Sequence, residues 1–285
     1  VASAKEIRGQ IKAIQNTAKI TKAMELVAAS KMRRAQENVL AARAYEEGIK
    51  RVIGNLTQAH PEFRHPFLVE RGEIRRIGLL IISTDKGLCG GLNANAFRMT
   101  LGKVKEFKAD LQALSIGRRG AMFMRRIGVH LAGSIENIPD SPSLSDTIGV
   151  SDLAMNMYTD GELDEVYLIY SKFVNTMTQK PVFMRLLPCP MAEEPTHGGY
   201  WDYIYEPESR EVLDGLLRRY VESLVYHGVL ENKACEQSAR MVAMKSATDN
   251  AKSITKELSI SYNKARQAAI TQELAEICAG AAAAQ

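Results

Sequence analysis

The densest group of residues able to do chemistry lies at 83–93, STDKGLCGGLN. Gly87, Gly90 and Gly91 follow an apolar run and precede a helical stretch, the place where a backbone can wrap a phosphate. The spacing is GxxGG, which is neither GxGxxG nor GxxxxGK followed by Ser or Thr. No acidic residue closes a second strand about 20 positions on, where a ribose ligand would sit. The segment therefore predicts a tight turn whose glycines supply positive φ. Cys89 within it has no His or acid evidently arranged to activate it, and reads as structural. Cys189, Cys235 and Cys278 make no CxxC pair and have no histidine at ligand spacing, so reduced thiols are expected. His60, His65, His130, His197 and His227 are scattered, and the acids read as mostly single and surface-like. These residues predict no catalytic group, no cofactor and no metal site.

The charge is uneven. Residues 1–60 hold 11 Lys/Arg against 5 Asp/Glu, residues 61–207 hold 16 against 18, and residues 208–285 hold 10 against 10. The basic excess thus belongs to the front, in Lys5, Arg8, Lys12, Lys19, Lys22, Lys31, Arg33 and Arg34. Such a stretch is a solvated face or meets an anionic partner, nucleic acid or an acidic protein surface. Aromatic residues are absent from 1–44, so base stacking is not expected there.

All nine prolines lie between Pro61 and Pro207. Proline costs about 3 kcal/mol inside a helix, so both ends are free to run as long helices. Ile7, Ile11, Ile14, Ala18 and Thr21 follow a 4-3-4-3 spacing, resumed at Ala28, Met32, Ala35, Val39 and Ala42. That is a heptad seam. At the back, Leu213, Leu217, Tyr220 and Leu224 form one stripe, and Ala243, Ala247, Ile254, Leu258 and Ala265 another. At 1.5 Å per residue the ends could reach about 90 and 115 Å, and they most simply pack on each other. Between them, apolar runs at 77–82, 111–117, 129–135, 165–171 and 181–187 read as strands. Helical stretches at 94–108, 118–126 and 144–158 alternate with them, which argues for an open α/β sheet. The expected domains are helices over 1–60 and 208–285 and an α/β body over 61–207. No apolar run approaches 18 residues and VASAKEIRGQ lacks an apolar signal core, so a soluble, cytoplasmic chain is expected.

Five segments carry a likeness: KEIRGQIKAIQNTAKITKAMELVAASKMRRA at 5–35, STDKGLCGGLN at 83–93, SKFVNTMTQKP at 171–181, SARMVAMKSATDN at 238–250 and NKARQAAITQELAEIC at 263–278. In order and spacing they closely resemble the gamma-subunit family of F-type ATP synthases. The extra segment with a cysteine pair found in plastid members is missing, so the chain looks bacterial. The resemblance implies an antiparallel coiled coil of the terminal helices plus a central Rossmann-like open α/β domain. It implies a non-catalytic rotor shaft at the cytoplasmic face of the bacterial inner membrane, held there through its complex. The implied partners are an alpha3beta3 hexamer, the epsilon subunit and the c-ring. By the same resemblance Arg266 and Gln267 match positions that bond a catalytic-subunit loop. Met24 matches a position near an acidic lever, with Lys22, Arg33 and Arg34 meeting acidic surface. The segment WDYIYEP, with Tyr203, Tyr205 and Glu206, resembles the foot that touches the c-ring.

Two other classes remain open on the residues alone. The basic front suggests a nucleic-acid-binding coiled coil, which would show steep salt dependence. The α/β body suggests a nucleotide-dependent enzyme.

Overall fold

In a computed structural model of the chain, residues 4–59, 65–189 and 209–283 are described. The elements among them are α1 (Ala4–Ala59), β1 (Arg76–Ile82), α2 (Leu92–Val104), β2 (Asp110–Ile116), α3 (Arg118–Arg126), β3 (His130–Ile135), α4 (Ser145–Thr159), β4 (Glu165–Phe173), β5 (Gln179–Leu187) and α5 (Ser209–Ala283). They form two compact units, one of Val1–Ala28 with Arg240–Gln285 and the other of Ala29–Ala239.

In the first unit the front seam is where its spacing puts it. Ile7, Thr21 and Ala28 are buried and Ile11, Ile14 and Ala18 half-buried, while the intervening charged positions face solvent. On the matching face of α5 the expected Ala243, Ala247, Leu258 and Ala265 are half-buried, but the most buried positions lie beside them. Met244, Thr248 and Ala251 are buried there, whereas Ile254 is 45% exposed. The reason is that hydroxyls serve in this seam. Thr21 Oγ1 and Thr248 Oγ1 lie 2.7 Å apart, and Thr248 donates onward to the Met244 carbonyl at 2.8 Å. Thr21 Oγ1 also has the Ala18 carbonyl within 3.1 Å, so whichever hydroxyl donates across the seam both are satisfied, and threonine packs here without a lost hydrogen bond.

The second unit is built on a five-stranded sheet of order β3-β2-β1-β4-β5. Strands β1 to β4 are parallel, and β5 runs antiparallel on β4. The run IGLLII of β1 is continuous because alternate residues feed two cores. Ile77, Leu79 and Ile81 join Phe123 and Met124 of α3 on one face. Leu80 and Ile82 join Met155 and Tyr158 of α4 and Leu217, Val221 and Leu224 of α5 on the other. Each such side chain contributes about 1.5–3 kcal/mol on burial. The antiparallel β5 was not anticipated. Its hairpin is braced by Asn175, whose Oδ1 accepts from the N–H groups of Met177 and Thr178 at 2.9 and 2.8 Å.

Through this unit α1 and α5 run in opposite senses. Ala35, Val39, Leu230 and Ala234 form one cluster. Lys31 and Gln237 both reach Asp140, while Arg43 reaches Glu231. From Tyr220 to Ala239 no residue of α5 is exposed. A helix buried all round carries no apolar stripe, which is why the expected stripe stops at Leu224.

Candidate functional site

Ligands of open α/β sheets enter at the carboxyl ends of the strands, where the strand order reverses. Here that point lies between β1 and β4, and α5 fills it. A Cβ on Gly228 would stand 2.9 Å from Ile82 Cδ1 and 3.5 Å from Leu168 Cδ2, so the helix backbone lies directly on the strand ends. Cys235 Sγ donates to the Ser171 carbonyl at 3.2 Å and Ser238 Oγ to the Thr176 carbonyl at 2.7 Å. Lys233 Nζ donates to the Ile138 carbonyl at 2.9 Å. The cleft left beside Ser83, Asp85, Gly117 and Lys233 has about 10 Å³ of usable volume, room for roughly one water and far below the roughly 300–1,000 Å³ of small-molecule sites.

The glycine-rich turn spends its polar groups on the neighbouring helix. Asp85 Oδ1 accepts from Arg118 N–H at 3.0 Å, the Thr84 carbonyl from Arg119 N–H at 3.1 Å, and Ser83 Oγ from Gly120 N–H at 2.7 Å. Three of the four N–H groups that a helix start leaves unpaired are thus taken by the chain itself. Gly117, at φ 97°, allows the approach, since a Cβ there would lie 2.3 Å from the Ser83 carbonyl oxygen. The expectation that the three glycines of the turn supply positive φ needs correction. Gly90 does, at 58°, and Leu88 shares the role at 62°. Gly91 starts α2 at φ −86°. Gly87 instead makes room for Arg119, whose Nη2 would be 3.0 Å from a Cβ.

Cys89 is buried, and its sulfur accepts from Asn93 Nδ2 at 3.4 Å. Burial pushes the Cys189 thiol up to about 12 and that of Cys235 higher still. Such thiols are packing groups. Cys278 is exposed. Among the described residues no three His, Cys, Asp or Glu side chains converge on a metal-sized space.

A minority of the acids are not surface groups. Glu231 is fully enclosed. Its Oε1 accepts from Arg43 Nη2 at 2.7 Å and lies 3.4 Å from His227 Nε2, and its Oε2 accepts from Phe173 N–H at 2.7 Å. Burial alone would raise its carboxyl, but the bonds from His227, Arg43 and Phe173 outweigh it and hold it at about 2. Asp164 is handled alike. Burial opposes its charge, and the backbone N–H groups of Arg75 and Arg76, with the Arg71 guanidinium, hold it below its ordinary value. His65, also buried, accepts Phe67 N–H at Nδ1 (3.0 Å), so its Nε2 carries the proton toward Asp214 Oδ1 at 3.1 Å.

Of the residues singled out for partner contact, Lys22, Met24, Arg266 and Gln267 lie in the first unit and Arg33 and Arg34 in the second. Met24 is half-buried on α1. Lys22 is exposed and pairs with Glu25 at 2.9 Å. Arg33 faces solvent with a loose pair to Glu37 at 3.5 Å, and Arg34 is exposed. Arg266 and Gln267 are exposed on α5, with no side-chain bond among the described residues. From Arg266 to Ala279 every residue is exposed. Tyr203, Tyr205 and Glu206 lie outside the described residues. What the sequence missed is the Arg43–Glu231–Phe173 cluster. Its available signal was an acid inside the long buried run of α5.

Polar groups committed to packing, a filled crevice and long paired helices assemble no reacting centre among the described residues. A family model described as ATP synthase matches residues 3–284. Among curated relatives, the ATP synthase gamma chain of Acidithiobacillus ferrooxidans is 54% identical over 99% of this chain and 100% of the relative. Those of Legionella pneumophila and Thiobacillus denitrificans are 52% and 50% identical, with 99% and 100% coverage in each case. The chain belongs to the ATP synthase gamma-chain family. Among solved structures, a chain of the Tetrahymena thermophila mitochondrial ATP synthase central stalk and c-ring matches with TM-score 0.61 and 25% identity, covering 80% of this chain and 99% of that one. A chain of the Euglena gracilis mitochondrial ATP synthase shares the fold with TM-score 0.68 at 16% identity, covering 98% and 94%. The nucleic-acid alternative finds no support in these matches. Among the described residues no helix is long and apolar enough to cross a membrane.

Proposed function

We propose that this chain is the central rotor shaft of an F-type ATP synthase, coupling ion-driven c-ring rotation to conformational change at catalytic beta subunits, in synthesis or hydrolysis. It performs no bond chemistry itself. The observation that carries the reading is the bare end of α5. Ile270, Leu274 and Ile277 fall on one face at i, i+4 and i+7, and are 49%, 57% and 68% exposed. Helices draw most of their stability from packing, so this end calls for a surrounding partner, and an alpha3beta3 hexamer supplies one. Arg266 and Gln267, one turn before Ile270, offer a guanidinium and an amide to a loop of that ring. Met24, Lys22, Arg33 and Arg34 present a thioether and three cations to it from α1.

An asymmetric helix pair turned inside a ring of three sites touches each site differently. A difference in contact energy between site conformations shifts nucleotide affinity. Driving a site from mostly one state to mostly the other takes about 5.5 kcal/mol, within reach of a few charge-assisted contacts. Functionally, segments 1–60 and 208–285 serve as the shaft and 61–207 as the body that meets the c-ring and the epsilon subunit, with Tyr203, Tyr205 and Glu206 as the c-ring foot. The complex holds the chain at the cytoplasmic face of the bacterial inner membrane. Affinity purification of the tagged chain from its own membranes, with partners identified by mass, tests this. Alpha, beta, epsilon and c subunits are expected together. Recovery of the chain free of them, or on nucleic acid, would refute the proposal.

A further inference from the structure

We propose that Glu231 is a positioning residue that locks the sheet to both terminal helices, so that torque on the body turns α1 and α5 as one. The proposal rests on the rotor reading above. A single enclosed carboxylate joins three elements far apart in sequence. Arg43 comes from α1, Phe173 is the last residue of β4, and Glu231 belongs to α5. His227, one turn earlier on α5, faces the same oxygen as Arg43.

The other ties at this level resist twisting less. Apolar contact among Ala35, Val39, Leu230 and Ala234 opposes separation, but it is non-directional and yields to sliding. Cys235 and Ser238 each give one neutral bond from α5 to a carbonyl and do not involve α1. Lys31 and Gln237 meet at Asp140, yet Lys31 and Asp140 are 44% and 52% exposed, and solvent screens that pair. Arg43 is itself 41% exposed, but its carboxylate partner is fully enclosed, and among the described residues only Glu231 combines full enclosure, charge and directional bonds to both other elements. Removing its charge leaves the Arg43 guanidinium short of its buried partner.

The test uses the intact membrane complex. Cys278→Ser removes the exposed thiol, and Lys108→Cys, at an exposed body position, carries a bead. Angular fluctuation of the bead during a catalytic pause reads torsional stiffness, and proton pumping per ATP hydrolysed reads coupling. Glu231→Gln keeps the shape without the charge. It is expected to lower stiffness severalfold and reduce coupling while ATP hydrolysis persists. Glu231→Asp and Arg43→Lys should give smaller losses of the same kind, and they decide the matter if Glu231→Gln does not assemble. A purely structural role would lower the yield of complexes but leave stiffness at the wild-type value in those that form. That result would overturn the proposal. A wild-type complex that does not rotate would overturn the rotor reading, and the role of Glu231 with it.

Discussion

At the scale of single residues, Glu231 sets how the molecule should meet acid. Its carboxyl titrates near 2 in the fold against an ordinary 4.5. The folded state therefore holds this proton less tightly than the unfolded chain. The stabilisation is complete above about pH 5 and is lost as pH falls from there toward 2. A shift of this size corresponds to about 3 kcal/mol. Denaturant unfolding of the full chain at a series of pH values should show a steep loss through that window. Glu231→Gln should be less stable at neutral pH and show a shallower loss. Parallel pH profiles for the two proteins would mean that the carboxylate gains nothing from Arg43, His227 and Phe173. The residue was illegible in the sequence because nothing local marks it. Its partners lie 188 and 58 positions away, and only the closed fold brings them together. Cys89, by contrast, was legible. It reads as a structural cysteine, and in the fold it is buried beside Thr84 and Asn93.

At the scale of elements, glycine positions on α5 separate propensity from packing. Gly215 has open space where a Cβ would go, whereas Gly228 would put one 2.9 Å from Ile82. Helix propensity favours alanine over glycine by about 1 kcal/mol. Gly215→Ala should therefore raise stability by up to that amount. Gly228→Ala should lower it by about 1–3 kcal/mol, because the Ile82 side chain must shift within a packed cluster that leaves it little room. Urea midpoints of the two variants check this, and a stabilised Gly228→Ala would mean that α5 is not seated there. The end of α5 makes a second element-scale prediction. Deleting 279–285 removes no charged group and should leave most torque in the assembled complex. Cutting back to Asn263 removes Arg266, Gln267, Ile270, Leu274 and Ile277, and should weaken torque severely with the sheet still folded. Single-molecule rotation of the two truncated complexes decides it. The elements themselves were the most readable part. Strand β1 begins one residue before its expected start, and α3 matches its expected bounds, because β1 is an unbroken apolar run and α3 is bounded by glycine turns. The second α5 stripe held at Ala243, Ala247, Leu258 and Ala265, which are half-buried, but it included the exposed Ile254 and passed over Thr248, whose hydroxyl is satisfied inside the seam. The buried stretch from Tyr220 to Ala239 was invisible because periodicity marks one-sided burial only.

At the scale of the whole molecule, averages hid a separation of charge. Residues 61–207 look nearly neutral, yet 86–130 hold nine Lys/Arg against two Asp/Glu, and 131–189 hold three against eight. The first segment carries α2 and α3 on one face of the sheet, and the second carries α4 on the other. The basic excess is therefore not confined to the front helix, since α2 and α3 bring a second cationic stretch to one face of the sheet. Such a distribution orients a protein toward charged partners without adding a catalytic group. The functional reading is of the same kind. No reacting centre is assembled in the described residues, and the action assigned to the chain is a sequence of contacts made while turning. The measurement that bears on this most directly is rotation. With this chain assembled among its alpha and beta partners on a surface, and a bead attached at Lys108→Cys in the Cys278→Ser background, addition of ATP should turn the bead in one direction with three pauses per turn. A complex that hydrolyses ATP at the full rate while the bead stays fixed would contradict the account.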